Sequence, residues 1–234
     1  VKSILPNVLT LANLACGMLG ILMLFEEQYW PAAYLLGAGL LFDFADGMVS
    51  RALGVHSELG KQLDSLADVV SFGVLPGFLL YILFQQAQLG DEPLPAFLPY
   101  LAFLVPLFSA LRLAKFNIDS RQAEHFIGLP TPANAILIFS LGLWALYTQN
   151  ETTEAILLHP FFLTVLSLLS SVLLVAELPL LSLKVKDLSW QANKGRIFLV
   201  LAIVLLFAVL RFRALAFVIP LYLIISLLFK PRAR

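Results

Sequence analysis

The sequence predicts an all-α protein, a polytopic transmembrane bundle of about eight spanning helices with both termini cytoplasmic. Three observations predict it. Hydrophobic residues fill 60% of the 234 positions and charged residues 13%, against roughly 45–50% and about 25% in soluble domains. The apolar residues gather into stretches near the roughly 20 residues that a spanning helix needs: 5–25, 31–50, 63–85, 95–116, 132–148, 157–177, 195–211 and 213–229. Finally, the basic residues alternate in side. Lys2, Arg51, Lys61, Arg112, Lys115, Arg121, Lys184, Lys186, Lys194, Arg196, Lys230, Arg232 and Arg234 fall on one side of these spans. Glu26, Glu27, Asp91, Glu92, Glu151 and Glu154 fall on the other, where only Arg211 and Arg213 are basic. The basic side is the cytoplasmic one.

Each stretch has its own signature. Pro6, Asn7, Thr10 and Asn13 interrupt the first, and no convincing small-x-small site precedes Glu26, so it reads as a retained helix and not as a cleaved signal. The second and third carry acids and are joined by a short turn near Leu53–Ser57. The fourth ends in Arg112 and Lys115, and the fifth is entered through a rigid turn at Gly128–Pro132. The last two are nearly pure Leu, Ile, Val, Phe and Ala, parted only near Phe212, and read as a tight structural hairpin. The stretch 178–193 is either an interfacial segment or a plain loop. The whole chain, 1–234, reads as one membrane domain. Cys16 stands alone, so no internal disulfide is available. No basic-aromatic patch of the nucleic-acid kind is present.

The chemistry concentrates in one run, Asp43-x2-Asp46-Gly47-x2-Ser50-Arg51-x8-Gly60-x3-Asp64-x3-Asp68. Four carboxylates on apolar helices are costly unless something positive sits among them. Asp43, Asp46 and Ser50 share one helix face, and Gly60, Asp64 and Asp68 share another; the short turn brings the two faces together. Asp43 lies about 12 Å of helix rise from Arg51, which makes the site shallow on the cytoplasmic side. Clustered hard oxygens suit Mg²⁺ or Mn²⁺, and four of them can hold two ions, the arrangement used for phosphoryl displacement. Gly47 and Gly60 let a phosphate or nucleotide approach the backbone. The competing reading of intramembrane acids is a transporter pathway; these acids sit at one end only.

The run resembles the signature of the CDP-alcohol phosphatidyltransferases, with Ser50 in place of the usual Ala. That resemblance implies displacement of CMP from a CDP-linked lipid by an alcohol. It also implies Asp43, Asp46 and Asp64 as metal ligands, with Asp68 completing the metal site and acting as catalytic base. Asn7, Thr10, Gly47, Ser50, Arg51 and Gly60 would bind the CDP-lipid. Residues 1–177 would form the six-helix catalytic core, 195–229 an added hairpin, and the assembly a homodimer.

Two further stretches bear on the acceptor. Pro6-Asn7-x-Leu9-Thr10-x2-Asn13 has Asn13 where relatives using glycerol phosphate typically carry Arg. Arg112-Leu-Ala-Lys115-Phe-Asn117, with Phe126-x-Gly128-Leu-Pro130-x-Pro132-Ala133, is similar to the membrane-embedded phosphatidylserine synthases of bacteria and archaea, except that Lys115 replaces Arg. The resemblance implies CDP-diacylglycerol and L-serine as substrates in a prokaryotic cell membrane, with Arg112, Lys115 and Asn117 binding serine. From the residues alone, Arg112 and Lys115 either hold a carboxylate or anchor a helix end. Glycerol 3-phosphate and inositol phosphate stay open as alternative acceptors.

Overall fold

A computed structural model describes residues 4–55, 57–87, 94–118, 128–178 and 190–228, with the side chains of 190–196 and 212 excepted. His56, Arg121 and the stretch 179–189 lie outside the described residues. The regular structure among the described residues is entirely helical. In chain order it comprises α1 (Ile4–Phe25), α2 (Tyr29–Leu53), α3 (Glu58–Asp68), a π-helical turn (Val69–Val74) and α4 (Leu75–Gln86). A 3-10 turn (Leu98–Phe103) leads into α5 (Leu104–Ile118). Then follow α6 (Thr131–Tyr147), α7 (Glu151–Leu157), α8 (Pro160–Val175), α9 (Trp190–Leu210), a 3-10 turn (Arg211–Ala214) and α10 (Leu215–Leu228).

Each of the eight expected stretches is mostly helical over its described residues. Four helical runs are long and apolar enough to cross a membrane: Ile4–Phe25, Tyr29–Leu53, Glu58–Gln86 and Leu98–Ile118. Residues 151–175 would add a fifth if read as one bent span. Thr131–Tyr147, Ile197–Leu210 and Leu215–Leu228 are shorter apolar helices. The expected sixth span, 157–177, corresponds to α8; the short α7 precedes it and meets it at 49°. Pro160 has no N–H to continue a helix, and the His159 Nδ1 caps the new start by accepting from the Phe161 N–H at 3.2 Å.

Local sequence sets the turn that closes the acidic helices together. Gly54 adopts φ 64° and its N–H reaches back to the Ser50 and Arg51 carbonyls, ending α2 as a left-handed cap. Three residues later Ser57, extended, accepts from the Gly60 N–H at 2.9 Å and starts α3.

Helix α1 packs along α2 and across both α3 and the π turn. Gly17 makes that crossing close: a Cβ there would lie 2.5 Å from Ser71 Oγ and 2.8 Å from Ser71 Cα. Ser71 Oγ uses the proximity to donate to the Asn13 carbonyl at 2.9 Å. Below this level one apolar cluster gathers Leu24, Ala32, Leu36, Phe72, Leu75, Leu79, Ala135 and Phe139. A second gathers Leu80, Leu83, Phe84, Val105, Leu129, Ile138, Leu163 and Ile219, and so ties α10 to α4 through α6. Burying each such side chain contributes about 1.5–3 kcal/mol in water. Within lipid the same contacts act through close packing instead.

Candidate active site

The two acidic faces meet as the spacing requires. Carboxylate oxygens of Asp43, Asp64 and Asp68 all lie within 4.8 Å of one another. Asp43 and Asp64 are half-buried and Asp68 is buried. Asp64 Oδ1 is shielded from solvent and has no hydrogen-bond partner among the described residues. Three converging carboxylates with an orphaned oxygen repel one another at this distance. They fit a hard divalent cation, whose ligands are oxygens. Asp46, one turn beyond Asp43 and buried, is not in this trio; its Oδ2 accepts from Thr10 Oγ1 at 2.6 Å. Asp46 lines the adjoining cavity, as does Asp64 of the trio.

That cavity has a volume of about 410 Å³. It is lined by Pro6, Asn7 and Thr10 of α1, by Asp46, Gly47 and Ser50 of α2, by Val55 and Ser57 of the turn, and by Glu58, Gly60, Lys61 and Asp64 of α3. Five of the six residues expected to bind the CDP-lipid are therefore brought together: Asn7, Thr10, Gly47, Ser50 and Gly60. Ser50 Oγ donates to the Val55 carbonyl and so fixes the turn. Gly60 brings α1 and α3 close, since a Cβ there would sit 2.9 Å from Ser57 Oγ and 3.3 Å from Asn7 Oδ1. Arg51, the sixth, is exposed and outside the lining; its guanidinium folds back over Gly47.

Asn13 is a site residue that the sequence reading left without a role at the metal centre. Fully buried, it donates from Nδ2 to Asp68 Oδ1 at 3.2 Å. Its signal was present in the spacing: Thr10 and Asn13 are one turn apart on α1 and reach Asp46 and Asp68 respectively. Lys61 is the second omission. It lines the cavity, and its Nζ donates to the Asn117 carbonyl at 2.7 Å.

The three residues expected to bind serine separate. Arg112 is buried, with Nη1 3.4 Å from Thr131 Oγ1, and lies within electrostatic reach of Asp68. Lys115 is exposed. Asn117 Nδ2 donates to Ser65 Oγ at 2.8 Å, so this side chain fastens the end of α5 to α3.

Among the described residues, a bundle of apolar helices brings three carboxylates beside a cavity lined in part by Gly47, Ser50, Ser57 and Gly60, an arrangement that suits a metal-dependent membrane enzyme acting on phosphate groups. The chain belongs to the CDP-alcohol phosphatidyltransferase family, which matches residues 3–175. Members of this family are generally dependent on a divalent metal. Among curated relatives, it is 36% identical to a CDP-diacylglycerol–serine O-phosphatidyltransferase of Bacillus subtilis over 152 residues, covering 65% of this chain and 80% of that protein. Identity to the protein of the same name from Mycobacterium leprae is 37% over 154 residues, 62% of this chain and 48% of the relative. An archaetidylserine synthase of Methanothermobacter thermautotrophicus is 34% identical over 151 residues, 62% of this chain and 60% of the relative. The match thus spans most of the Bacillus protein and about half to three-fifths of the other two. The apolar helices and these relatives make the chain an integral membrane protein.

Proposed function

We infer that this chain transfers the phosphatidyl group of CDP-diacylglycerol to the hydroxyl of L-serine, giving phosphatidylserine and CMP. The observation that carries the reading is the carboxylate trio Asp43, Asp64 and Asp68 opening onto the cavity of Asn7, Thr10, Gly47, Ser50 and Gly60. The serine-using relatives support the choice of acceptor.

Asp43, Asp64 and Asp68, with Asp46 alongside, would hold Mg²⁺ or Mn²⁺, as two ions. Bound there, the metal supplies charge neutralisation for a diphosphate and its leaving group. The chain's own residues do the rest. The cavity receives the nucleotide and its phosphates, where Lys61 adds a positive charge and Gly60 a bare backbone. Asn13 holds one oxygen of Asp68 in place, leaving the other to accept the serine hydroxyl proton. The freed oxygen attacks phosphorus as the bond to CMP breaks; CMP departs with the electron pair, and the proton stays on Asp68 until solvent removes it. Next to Asp43 and Gly47, α2 turns Leu41, Phe44 and Met48 outward, 70%, 64% and 49% exposed. Acyl chains lying against that surface would let the lipid enter sideways from the membrane.

The proposed setting is a prokaryotic cell membrane crossed eight times, with both termini and the site on the cytoplasmic side. Residues 1–234 act as one membrane domain, 1–177 being its catalytic core and 195–229 an added hairpin, and the enzyme works as a homodimer. The test is CMP release by purified protein in detergent with CDP-diacylglycerol and Mn²⁺ or Mg²⁺. L-serine, glycerol 3-phosphate, inositol phosphate and no acceptor are compared. Release that needs L-serine and stops with chelator is expected. Release driven by a phosphorylated acceptor instead would replace the serine assignment, and none with any acceptor would remove the transferase reading.

A further inference from the structure

Arg211 and Arg213 break the charge pattern of the chain, since every other Lys and Arg falls on the opposite side of the expected spans. They stand in the 3-10 turn that joins α9 to α10, and both are exposed. Arg211 adopts φ 53°, in the left-handed region that Gly fills at no steric cost. The backbone alone therefore gives no reason for an arginine there. The turn and α10 pack against α6. At that contact the Arg213 guanidinium lies over the Trp144 ring, its Cζ 5.9 Å from the ring centroid. Phe217 meets the same ring edge to face at 5.6 Å. A cation–π contact holds the charge and leaves guanidinium N–H donors free. Neither arginine has a hydrogen bond or ion pair with another described residue. Trp144 Nε1, shielded from solvent, has no partner among them either.

The surroundings make such cations costly. Helix α10 has 14 residues and so rises about 21 Å, against a hydrocarbon core of about 30 Å. Lys230, Arg232 and Arg234 follow its other end. A short apolar helix with cations at both ends draws them toward the edge of the hydrocarbon, where an unpaired charge is expensive and long side chains reach for the headgroups. Beside the turn, Val209, Leu215 and Phe217 are exposed.

We propose that Arg213, with Arg211, forms a site for the phosphate of an anionic membrane lipid whose acyl chains lie along Val209, Leu215 and Phe217. The proposal rests on the membrane character of the chain and is independent of the transferase reading. Arg213, backed by Trp144, is the principal contact, and Arg211 adds a second positive charge to the same turn. The planar fork of an arginine matches phosphate oxygens. An anionic headgroup brings net negative charge to two cations, whereas a zwitterionic one also brings an ammonium that they repel. A free phosphate offers the same oxygens, but the exposed apolar side chains around the turn suit acyl chains. Bound there, the lipid ties the hairpin turn to α6 through Arg213 and Trp144.

The test is thermal unfolding of the whole chain, washed free of lipid in neutral detergent, with phosphatidylglycerol, phosphatidylcholine or inorganic phosphate added. Phosphatidylglycerol should raise the Tm of the unsubstituted protein saturably, and the other two should not at the same concentrations. The double variant Arg211→Gln/Arg213→Gln should need on the order of 10- to 100-fold more phosphatidylglycerol for half the shift, the loss expected for hydrogen bonds to a charged group. Arg213→Gln alone should account for most of that loss. Arg211→Lys/Arg213→Lys keeps both charges without the fork and should fall between; it carries the test if the Gln pair does not fold. Lys230→Gln/Arg232→Gln, beyond the other end of α10, should leave the shift unchanged. No shift with phosphatidylglycerol overturns the site, as does a shift that survives the Gln pair or that the Lys230 and Arg232 pair loses equally. Equal protection by inorganic phosphate overturns the lipid in favour of a free anion, and equal protection by phosphatidylcholine overturns it in favour of acyl chains alone.

Discussion

Replacing Asn13 by Ala removes the donor that holds Asp68. The bond is 3.2 Å long, within the ordinary N–H···O range. Its donor residue is fully buried and its acceptor residue 8% exposed, so water cannot readily substitute. A hydrogen bond to a charged acceptor contributes about 1.5–3 kcal/mol. If that orienting energy is expressed in the transition state, kcat falls about 10- to 150-fold. Asn13 does not line the cavity proposed to take the CDP-lipid, so the KM for CDP-diacylglycerol should stay as it was. The assay is the initial rate of CMP release at saturating L-serine, saturating metal and varied CDP-lipid. A variant whose kcat stays within about twofold of the unsubstituted protein would refute the reasoning, because an effect that small is less than one ordinary hydrogen bond. A rise in the KM for CDP-lipid with kcat intact would refute it equally, by placing Asn13 in binding.

Three further outcomes follow from the geometry. Chelation should abolish CMP release and Mg²⁺ or Mn²⁺ restore it; Asp64→Asn should raise the metal concentration for half-maximal rate by at least about 10- to 100-fold, which even an outer partner can cost, and an unchanged metal titration would exclude Asp64 as a ligand. Gly17→Ala should destabilise by about 1–3 kcal/mol, because its Cβ would meet the Ser71 backbone at 2.8 Å; a Tm equal to that of the unsubstituted protein would show that α1 can move away freely. Asn117→Ala should cost about 0.5–1.5 kcal/mol of stability through the lost bond to Ser65, with the KM for L-serine unchanged; a raised KM at constant stability would return Asn117 to the serine site.

The acidic site was legible because a helix repeats its faces regularly: i, i+3 on α2 and i, i+4 on α3 fix which carboxylates can converge, and Gly54 with Ser57 fixes the turn between them. Asp46 shows where that logic stops. Its face was readable, but the partner that occupies its oxygen, Thr10, lies on another helix. Asn13 and Asp68 are 55 residues apart, and no local pattern encodes such a contact. Arg112 and Lys115 share a helix turn, yet one is buried and the other exposed; the rotation of α5 that separates them is set by packing against α8 and the π turn. The bend at Pro160 was marked by the proline itself, but α7 is too short for its apolar residues to show a period. The π turn was invisible, since Val69–Val74 reads as any apolar helix.

That π turn acts as a phase shifter. An α-helix advances about 100° per residue, whereas the wider turn, closed by i→i+5 bonds, takes in one residue more. Winding Val69–Val74 as plain α-helix with no residue removed would turn everything after it by about 100°. Phe72, Leu75 and Leu79 would then leave their core, or Asp64 and Asp68 would leave Asp43. The extra residue lets the two ends of one span keep separate angular settings, the first obeying the chemistry and the second obeying the packing of the bundle.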